Sequence, residues 1–561
     1  MSENNTTAAA AQEELDLTSF PVKVPEYFNF AYDVIDRWAK KDRNKQCMIW
    51  TNQYGDERRF TFFEMARLSN QAANLLLKLG IGRGDRVFMM VRRLPEWWIF
   101  SLAMIRIGAI QCPSPSLLTP DDCRYRINAG KFKAVISDMA NTGKFDEIFH
   151  DCPCLEHRIV VDGERTDWIS YKKEIAPPST LSREDLHPMF RAKTKATDPM
   201  LIMFTSGTSS HPKMVLHAHH MPLGHRVTAL WQGSTANDVQ LTMSDTGWGK
   251  NIWGNYFGQW CAGACLLIYD IVGKFHPEEL LPLLEKYEVT RFCAPPTIYR
   301  MLVLSDLSKF NLSQLVSCTA AGEPLHTETV KIWKEGTGIT IREAYGQTET
   351  CCIIGNFPDL ETVPGSMGKP SPGWHVVLHD EDDQEVPDGE PGNIAICTTP
   401  GKRPAGLLTE YLDDPAANEK AFRGDYYYTG DRAYKDENGY FWFVGRSDDI
   451  IKSSGYRIGP LEVEEVLMKH PAVVEAAVIG VPDPMRGARI KAYIILKDGY
   501  EGSENLIHEI QDFAKVHTAP YKYPREIEFV KALPKTFSGK VKRDLLRRHS
   551  ETGEDIFANL K

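Results

Sequence analysis

The sequence predicts an α/β protein with a large N-terminal domain of parallel αβα sheets, a small β-rich subdomain and a small α+β C-terminal domain. Three observations carry that expectation. Strand-like and helix-like segments alternate from about residue 61 to 137 and again from 239 to 294, the signature of a parallel sheet with crossover helices. From about residue 365 the character changes, and Gly/Pro turns separate short strands. Beyond Gly445-Arg446-Ser447-Asp448-Asp449 lies a stretch of mixed helix and strand, long enough for a separate small domain. A chain of 561 residues also exceeds what one core supports. The expected division is a flexible lead-in at 1–25, a main domain at 26–446 and a C-terminal lid at 447–561.

The elements follow in order. Thr61-x-x-Glu64 is a capping-box pattern, and Met65, Leu68, Ala72, Leu75 and Leu79 continue it at helical spacing until Gly80 and Gly82. Strands are expected at 86–91, 109–112 and 134–137, with a helix from Trp97 to Ile107 and a third helix before 134. Met200–Phe204 is a short apolar run that reads as a buried strand. Further strands are expected at 239–243, 265–269, 291–294 and 340–344, and helices at 247–260 and 277–287. The turn Pro387–Gly392 precedes a strand at 393–397. In the last region helices are expected at 461–469 and 504–517, and strands at 476–479, 490–496 and 526–530. No internal repeat or low-complexity segment interrupts the pattern.

Composition excludes several classes. A net charge of -10 argues against nucleic acid as the main partner, while leaving room for local basic pockets. No apolar run approaches the ~20 residues that a membrane span requires. Residues 1–19 are polar and acidic, without the features of a secretory or transit peptide, and the C-terminal Ala558–Lys561 is no peroxisomal address. Twelve cysteines without zinc-site spacing are read as reduced thiols, and the expected location is cytoplasmic.

Several short motifs carry chemistry. Thr205-Ser206-Gly207-Thr208-Ser209-Ser210-His211-Pro212-Lys213 gathers hydroxyls and backbone N–H groups in one small volume, with a mobile cation at its end. Phosphate oxygens fit such a concavity, although a polar surface turn has the same composition. The loop departs from the P-loop pattern, because Lys213 follows a proline and no second glycine precedes it. Tyr345-Gly346-Gln347-Thr348-Glu349 sets a carboxylate after a polar loop, where it can hold Mg²⁺ or be a solvated glutamate. Gly322-Glu323-Pro324 belongs to a small-residue turn that a flat ring can approach. Tyr428-Thr429-Gly430-Asp431 puts a carboxylate beside a glycine turn, suited to ribose hydroxyls or to capping the turn itself. Arg446 and Arg457 can pair with phosphate or with a neighbouring carboxylate, and Lys540 follows the flexible Gly539.

In chain order, Thr205–Lys213, Tyr345–Glu349, Tyr428–Asp431, Gly445-Arg446-Ser447-Asp448-Asp449 and Pro534-Lys535-Thr536-Phe537-Ser538-Gly539-Lys540 resemble the adenylate-forming superfamily of acyl-CoA synthetases, adenylation domains and firefly-type luciferases, over about residues 30–550. Ser244–Trp253 and Tyr345-Gly346 look most like medium-chain acyl-CoA synthetases. The resemblance implies ATP, Mg²⁺ and CoA as co-substrates, a small-molecule carboxylic acid as the activated partner, and a monomer or homodimer. It implies that the acid attacks the α-phosphorus of ATP, releasing pyrophosphate, and that CoA then takes the acyl group. Thr205, Ser206, Gly207, Thr208, Ser209 and Lys213 would hold the phosphates, and Glu349 the Mg²⁺. Gly322, Glu323, Pro324, Tyr345, Gly346, Gln347 and Thr348 would line the nucleotide, with Asp431 and Arg446 on the ribose.

Lys540, on a mobile C-terminal domain, would bridge the carboxylate and the α-phosphate. Asp448 would be the hinge on which that domain turns, and Gly455 and Arg457 would then meet CoA. Trp248, Lys250, Trp253, Phe257 and Gly346 would line the acyl pocket. Acetate-specialised relatives carry Trp where this chain has Gly346, so the pocket is expected to be deeper than acetate requires. A short-to-medium fatty acid, straight or branched, comes first, an aromatic acid second; an acyl-AMP ligase with a non-CoA acceptor is a further alternative.

Overall fold

The computed structural model describes residues 17, 19–175, 194–205, 212–273, 275–323, 325, 327–453, 456–519, 521–536 and 540–557, the side chain of Arg457 excepted. Two large sheets form the body. One has eight strands, of which Pro199–Thr205, Ile110–Pro113, Arg86–Met90, Ala134–Ser137, His157–Val160 and Ile169–Ser170 run parallel. The other has nine strands, with a parallel centre of Gln46–Asn52, Cys265–Asp270, Val239–Thr242, Arg291–Ala294, Ser317–Ala321 and Ile341–Tyr345. Most of these strands are apolar on both faces because helices cover both, so they read as continuous hydrophobic runs.

The helix Pro95–Ile107 is buried along its whole length between the sheets, with Trp97 and Trp98 fully enclosed. Beside it, the helix Phe62–Lys78 opens on the capping box that its sequence announces: the Thr61 hydroxyl accepts from the Glu64 amide, and the Glu64 carboxylate accepts from the Thr61 amide. The β-rich subdomain is a five-stranded antiparallel sheet that includes Val376–His379, Gly392–Cys397, Tyr426–Lys435 and Phe441–Arg446.

The C-terminal region has its own core around Ile458, Val463, Ile490 and Ile510, under a three-stranded sheet of Val473–Asp483, Gly487–Leu496 and Glu526–Phe529. Its helix Pro460–Leu467 starts against the large lobe, where a Cβ on Gly459 would lie 2.4 Å from the Val444 carbonyl.

Of the lead-in, residues 17 and 19–25 are described, and there the Arg226 guanidinium lies 4.6 Å over the Phe20 ring and donates to the Ser19 carbonyl. One expectation needs correction. The single helix expected at 247–260 is two, Gly249–Gly254 and Phe257–Ala262, broken at Asn255-Tyr256. Local side-chain periodicity cannot reveal the break, because groups distant in sequence take up the carbonyls it releases.

Candidate active site

The motifs converge at the C-terminal ends of the parallel strands, where open α/β sheets bind ligands. The strand Pro199–Thr205 turns back as Lys213–Ala218, and Thr205 pairs with Lys213 across the base of the hydroxyl-rich loop. Ser206, Gly207, Thr208 and Ser209 of that loop lie outside the described residues, as do Pro324 and Gly455. The edge of this hairpin carries the short strand Glu410–Tyr411.

Tyr411 joins two predicted site residues. Its hydroxyl donates to Glu349 Oε1 at 3.0 Å, and the Lys213 ammonium lies 4.9 Å over its ring. Burial raises the Glu349 carboxyl above its ordinary pKa, and the Tyr411 hydrogen bond works against that rise. Among the described residues no group of three or more His, Cys, Asp or Glu side chains can hold a metal ion. One carboxylate among hydroxyls fits Mg²⁺ carried mainly by substrate phosphates, not a cation held by the protein alone.

Asp431 anchors a second set of bonds. It faces Arg446 directly across adjacent strands, and the guanidinium meets its Oδ1 at 3.2 Å. Its Oδ2 accepts from the Tyr345 hydroxyl at 2.5 Å and from the Gln347 amide at 2.6 Å. Asp431 is 4% exposed, so this buried carboxylate is paired and hydrogen-bonded as burial of a charge demands. Gly430 is required here: its φ is +74°, and a Cβ would stand 3.2 Å from the Arg446 guanidinium. Arg446 also reaches Asp448, Nε to Oδ1 at 3.3 Å.

Sequence reasoning missed Tyr411 and Tyr427. The Tyr427 hydroxyl lies 3.4 Å from both the Tyr411 hydroxyl and Gln347 Oε1, linking the Glu349 and Asp431 sets. The signal was present: Tyr427, Thr429 and Asp431 share one face of the strand at a period of two, whereas Tyr428 faces away and meets His379 Nδ1 at 2.9 Å.

The turn at Gly322-Glu323 is held from two sides. The Glu323 carboxylate accepts from the Thr297 hydroxyl at 2.7 Å, and the Lys250 ammonium donates to the Ala321 carbonyl at 2.9 Å. Lys250 therefore supports this turn. Burial lowers its pKa below the ordinary lysine value.

Of the other residues expected at the acyl pocket, Phe257 belongs to the core. It is fully buried, stacked 4.2 Å from Tyr256 and edge-on to Phe30 at 4.9 Å. Trp248 is half-buried at the start of the helix Gly249–Gly254. Trp253 and Gly346 meet: a Cβ on Gly346 would lie 2.2 Å from the tip of the Trp253 indole and 2.1 Å from the Cys351 carbonyl. A side chain at Gly346 would therefore collide with the Trp253 indole and the Cys351 carbonyl. His217 stands alongside, its Nε2 donating to the Thr348 carbonyl at 2.8 Å.

Lys540 is exposed, its amide donating to the Thr536 hydroxyl at 3.1 Å. Among the described residues its ammonium has no acidic partner.

A family model described as AMP-binding enzyme matches residues 35–399, and one described as AMP-binding enzyme C-terminal domain matches residues 462–540. The mitochondrial acyl-coenzyme A synthetase ACSM3 of Homo sapiens is 42% identical over 540 residues, covering 94% of this chain and 91% of that protein. The mitochondrial acyl-coenzyme A synthetase ACSM5 of Rattus norvegicus is 41% identical over 555 residues, covering 96% and 93%. Among solved structures, the anthranilate CoA ligase AuaEII in complex with anthranoyl-AMP superposes with a TM-score of 0.83 at 31% identity, over 94% of this chain and 98% of that one.

Proposed function

The chain belongs to the AMP-binding enzyme family and is an ATP-dependent acyl-CoA synthetase that works through an acyl-AMP; from that premise we propose that it activates a short- or medium-chain carboxylic acid. The observation that carries the size class is the contact of Trp253 with Gly346, which walls the pocket with an indole instead of leaving it open. A flat wall also suits an aromatic acid, which is the competing substrate class.

The proposed division of labour follows the geometry. The loop 205–213 holds the β- and γ-phosphates through Thr205, Ser206, Gly207, Thr208, Ser209 and Lys213. The turn at 322–324 and the segment Tyr345–Thr348 receive adenine, and Asp431 with Arg446 receives the ribose. Arg446, Tyr345 and Gln347 already hold the Asp431 carboxylate, which retains lone-pair capacity for a hydroxyl donor. Glu349 is the residue that would hold Mg²⁺, whose charge offsets that of the phosphates when it is bound.

The acid's carboxylate oxygen attacks the α-phosphorus, the bond to the β-phosphate oxygen breaks, and pyrophosphate leaves. Lys540 supplies positive charge to the carboxylate and α-phosphate in this step only. The C-terminal lid, residues 447–561, then turns about Asp448 and brings Gly455 and Arg457 to CoA. The CoA sulfur, having lost its proton, attacks the acyl carbon and expels AMP.

No helix among the described residues is long and apolar enough to cross a membrane. The twelve cysteines are free thiols, which suits a reducing compartment. We assign the cytoplasm, and the mitochondrial relatives make cell fractionation the check. A monomer or homodimer is the proposed state, readable by light scattering.

The substrate test is pyrophosphate release across acids from acetate to decanoate plus benzoate, with and without CoA. Turnover that needs CoA and peaks at roughly four to eight carbons supports the proposal. A peak on benzoate would replace it with an aromatic acid ligase.

A further inference from the structure

The break between the helices Gly249–Gly254 and Phe257–Ala262 is filled by side-chain donors. In a continuous helix the carbonyls of Trp253, Gly254 and Asn255 would accept from backbone amides four residues on. Here the Trp253 carbonyl accepts from Gln259 Nε2 at 2.7 Å. The Gly254 carbonyl accepts from Gln240 Nε2 at 3.0 Å and from the Thr242 hydroxyl at 2.9 Å. The Asn255 carbonyl accepts from Trp98 Nε1 at 2.8 Å. Gln259 and Gln240 both donate as well to one acceptor, Gln232 Oε1, at 2.5 and 2.6 Å.

All three glutamines are 0–1% exposed, so each bond lies where its loss would leave a polar group stranded. The backbone is also jammed: a Cβ on Gly254 would lie 2.4 Å from the Thr242 methyl. Trp253, whose indole meets Gly346, is thereby held by its own carbonyl and by that of the next residue.

We propose that Gln232, Gln240 and Gln259 are positioning residues that set the acyl-chain limit of this synthetase by locking Trp253 against Gly346. The idea rests on Trp253 being the wall of the acyl pocket. None of the three amides is placed on the nucleotide or on CoA; they act on the backbone that carries Trp253, with Gln259 also accepting from the Tyr256 amide and Gln240 from the Ser234 hydroxyl. A locked indole admits an acid up to its face and excludes a longer one; an unlocked indole swings aside.

The test compares Gln259→Leu, Gln240→Leu and Trp253→Leu with the unaltered protein, reading kcat/KM for decanoate over butyrate in CoA-dependent AMP formation. The ratio is insensitive to the amount of folded enzyme, so a partial loss of stability does not disturb it. Gln240→Leu leaves Thr242 on the Gly254 carbonyl and serves if Gln259→Leu does not fold. The expected result is a ratio raised about tenfold by either glutamine substitution and at least as far by Trp253→Leu, with KM for ATP unchanged. A raised ratio for Trp253→Leu and an unaltered one for both glutamine variants overturns the locking role and leaves the wall in place. An unaltered ratio for Trp253→Leu overturns the wall and the lock together.

Discussion

The two lobes present their site residues in opposite ways. In the large lobe Asp431 is held by three partners, and Tyr411 stands between Glu349 and Lys213. In the small lobe Lys540 is exposed, without an acidic partner among the described residues. A preorganised nucleotide half costs no reorganisation when ATP arrives. A free lysine can be delivered for one step and withdrawn for the next. The contrast is not one of rigidity, because the small lobe has a well-bonded interior. Its Glu464 carboxylate accepts twice from Arg543, at 2.6 and 2.8 Å, and once from the Val478 amide at 2.7 Å. Arg543 and Arg547 also pair with Asp449, next to Asp448. Asp448 is tied to Arg446 in the large lobe and Asp449 to the small one, so the proposed pivot falls between two ion pairs that pull on different bodies.

That comparison can be broken or sharpened. The largest expected effect comes from Arg543→Met, which leaves the buried Glu464 carboxylate without its guanidinium. The small lobe should lose about 3–5 kcal/mol, read as an early unfolding step that precedes melting of the large lobe. Simultaneous melting would mean the lobes are one folding unit. Asp431→Asn keeps the shape but weakens the charge facing Arg446. Acyl-adenylate formation should fall about a hundredfold, with a raised KM for ATP, by single-turnover assay. A change below about threefold would remove Asp431 from the nucleotide site.

Buried imidazoles give the large lobe its own pH dependence. Burial depresses His217 and His219 to about 4 and His225 to about 3, against an ordinary value of 6.5. The unfolded chain therefore takes up protons first as pH falls, and stability drains away from about pH 6.5 down through pH 4, by up to ~3 kcal/mol for each imidazole. Neither ring nitrogen of His219 has a hydrogen-bond partner among the described residues. His219→Phe should flatten the acid limb of a denaturant-midpoint profile, and an unaltered limb would assign the loss elsewhere. The smallest effect is expected of Tyr411→Phe, which removes one hydrogen bond to Glu349 and keeps the ring under Lys213. Affinity for Mg·ATP by calorimetry should fall about tenfold. No change would make the Tyr411 contact incidental.

The strands of the parallel sheets were legible because their burial on both faces leaves continuous apolar runs, and the helix after Thr61 because its cap is local. The small sheet after residue 365 was legible through its turns. The candidate site was open to sequence reading where a motif carries its own residues, as at Thr205–Lys213 or Tyr345–Glu349, and the roles given to them are proposals. It was not legible where distant segments complete it. Tyr411 reaches Glu349 only because its strand pairs with Lys213–Ala218. The broken helix depends on Gln240, Thr242 and Trp98, so the pattern of residues 247–260 read as continuous and Phe257 was taken for a pocket residue. The approach of the Trp253 indole to Gly346 is likewise information that no local pattern carries.

The account turns on Lys540 acting in one half-reaction only, and a single-turnover comparison of Lys540→Ala with the unaltered protein tests it most directly. Acyl-adenylate formation from acid and ATP should be abolished, while thioester formation from a preformed acyl-adenylate and CoA continues at close to the normal rate. Equal loss of both half-reactions would contradict a free lysine delivered to the large lobe for adenylation alone.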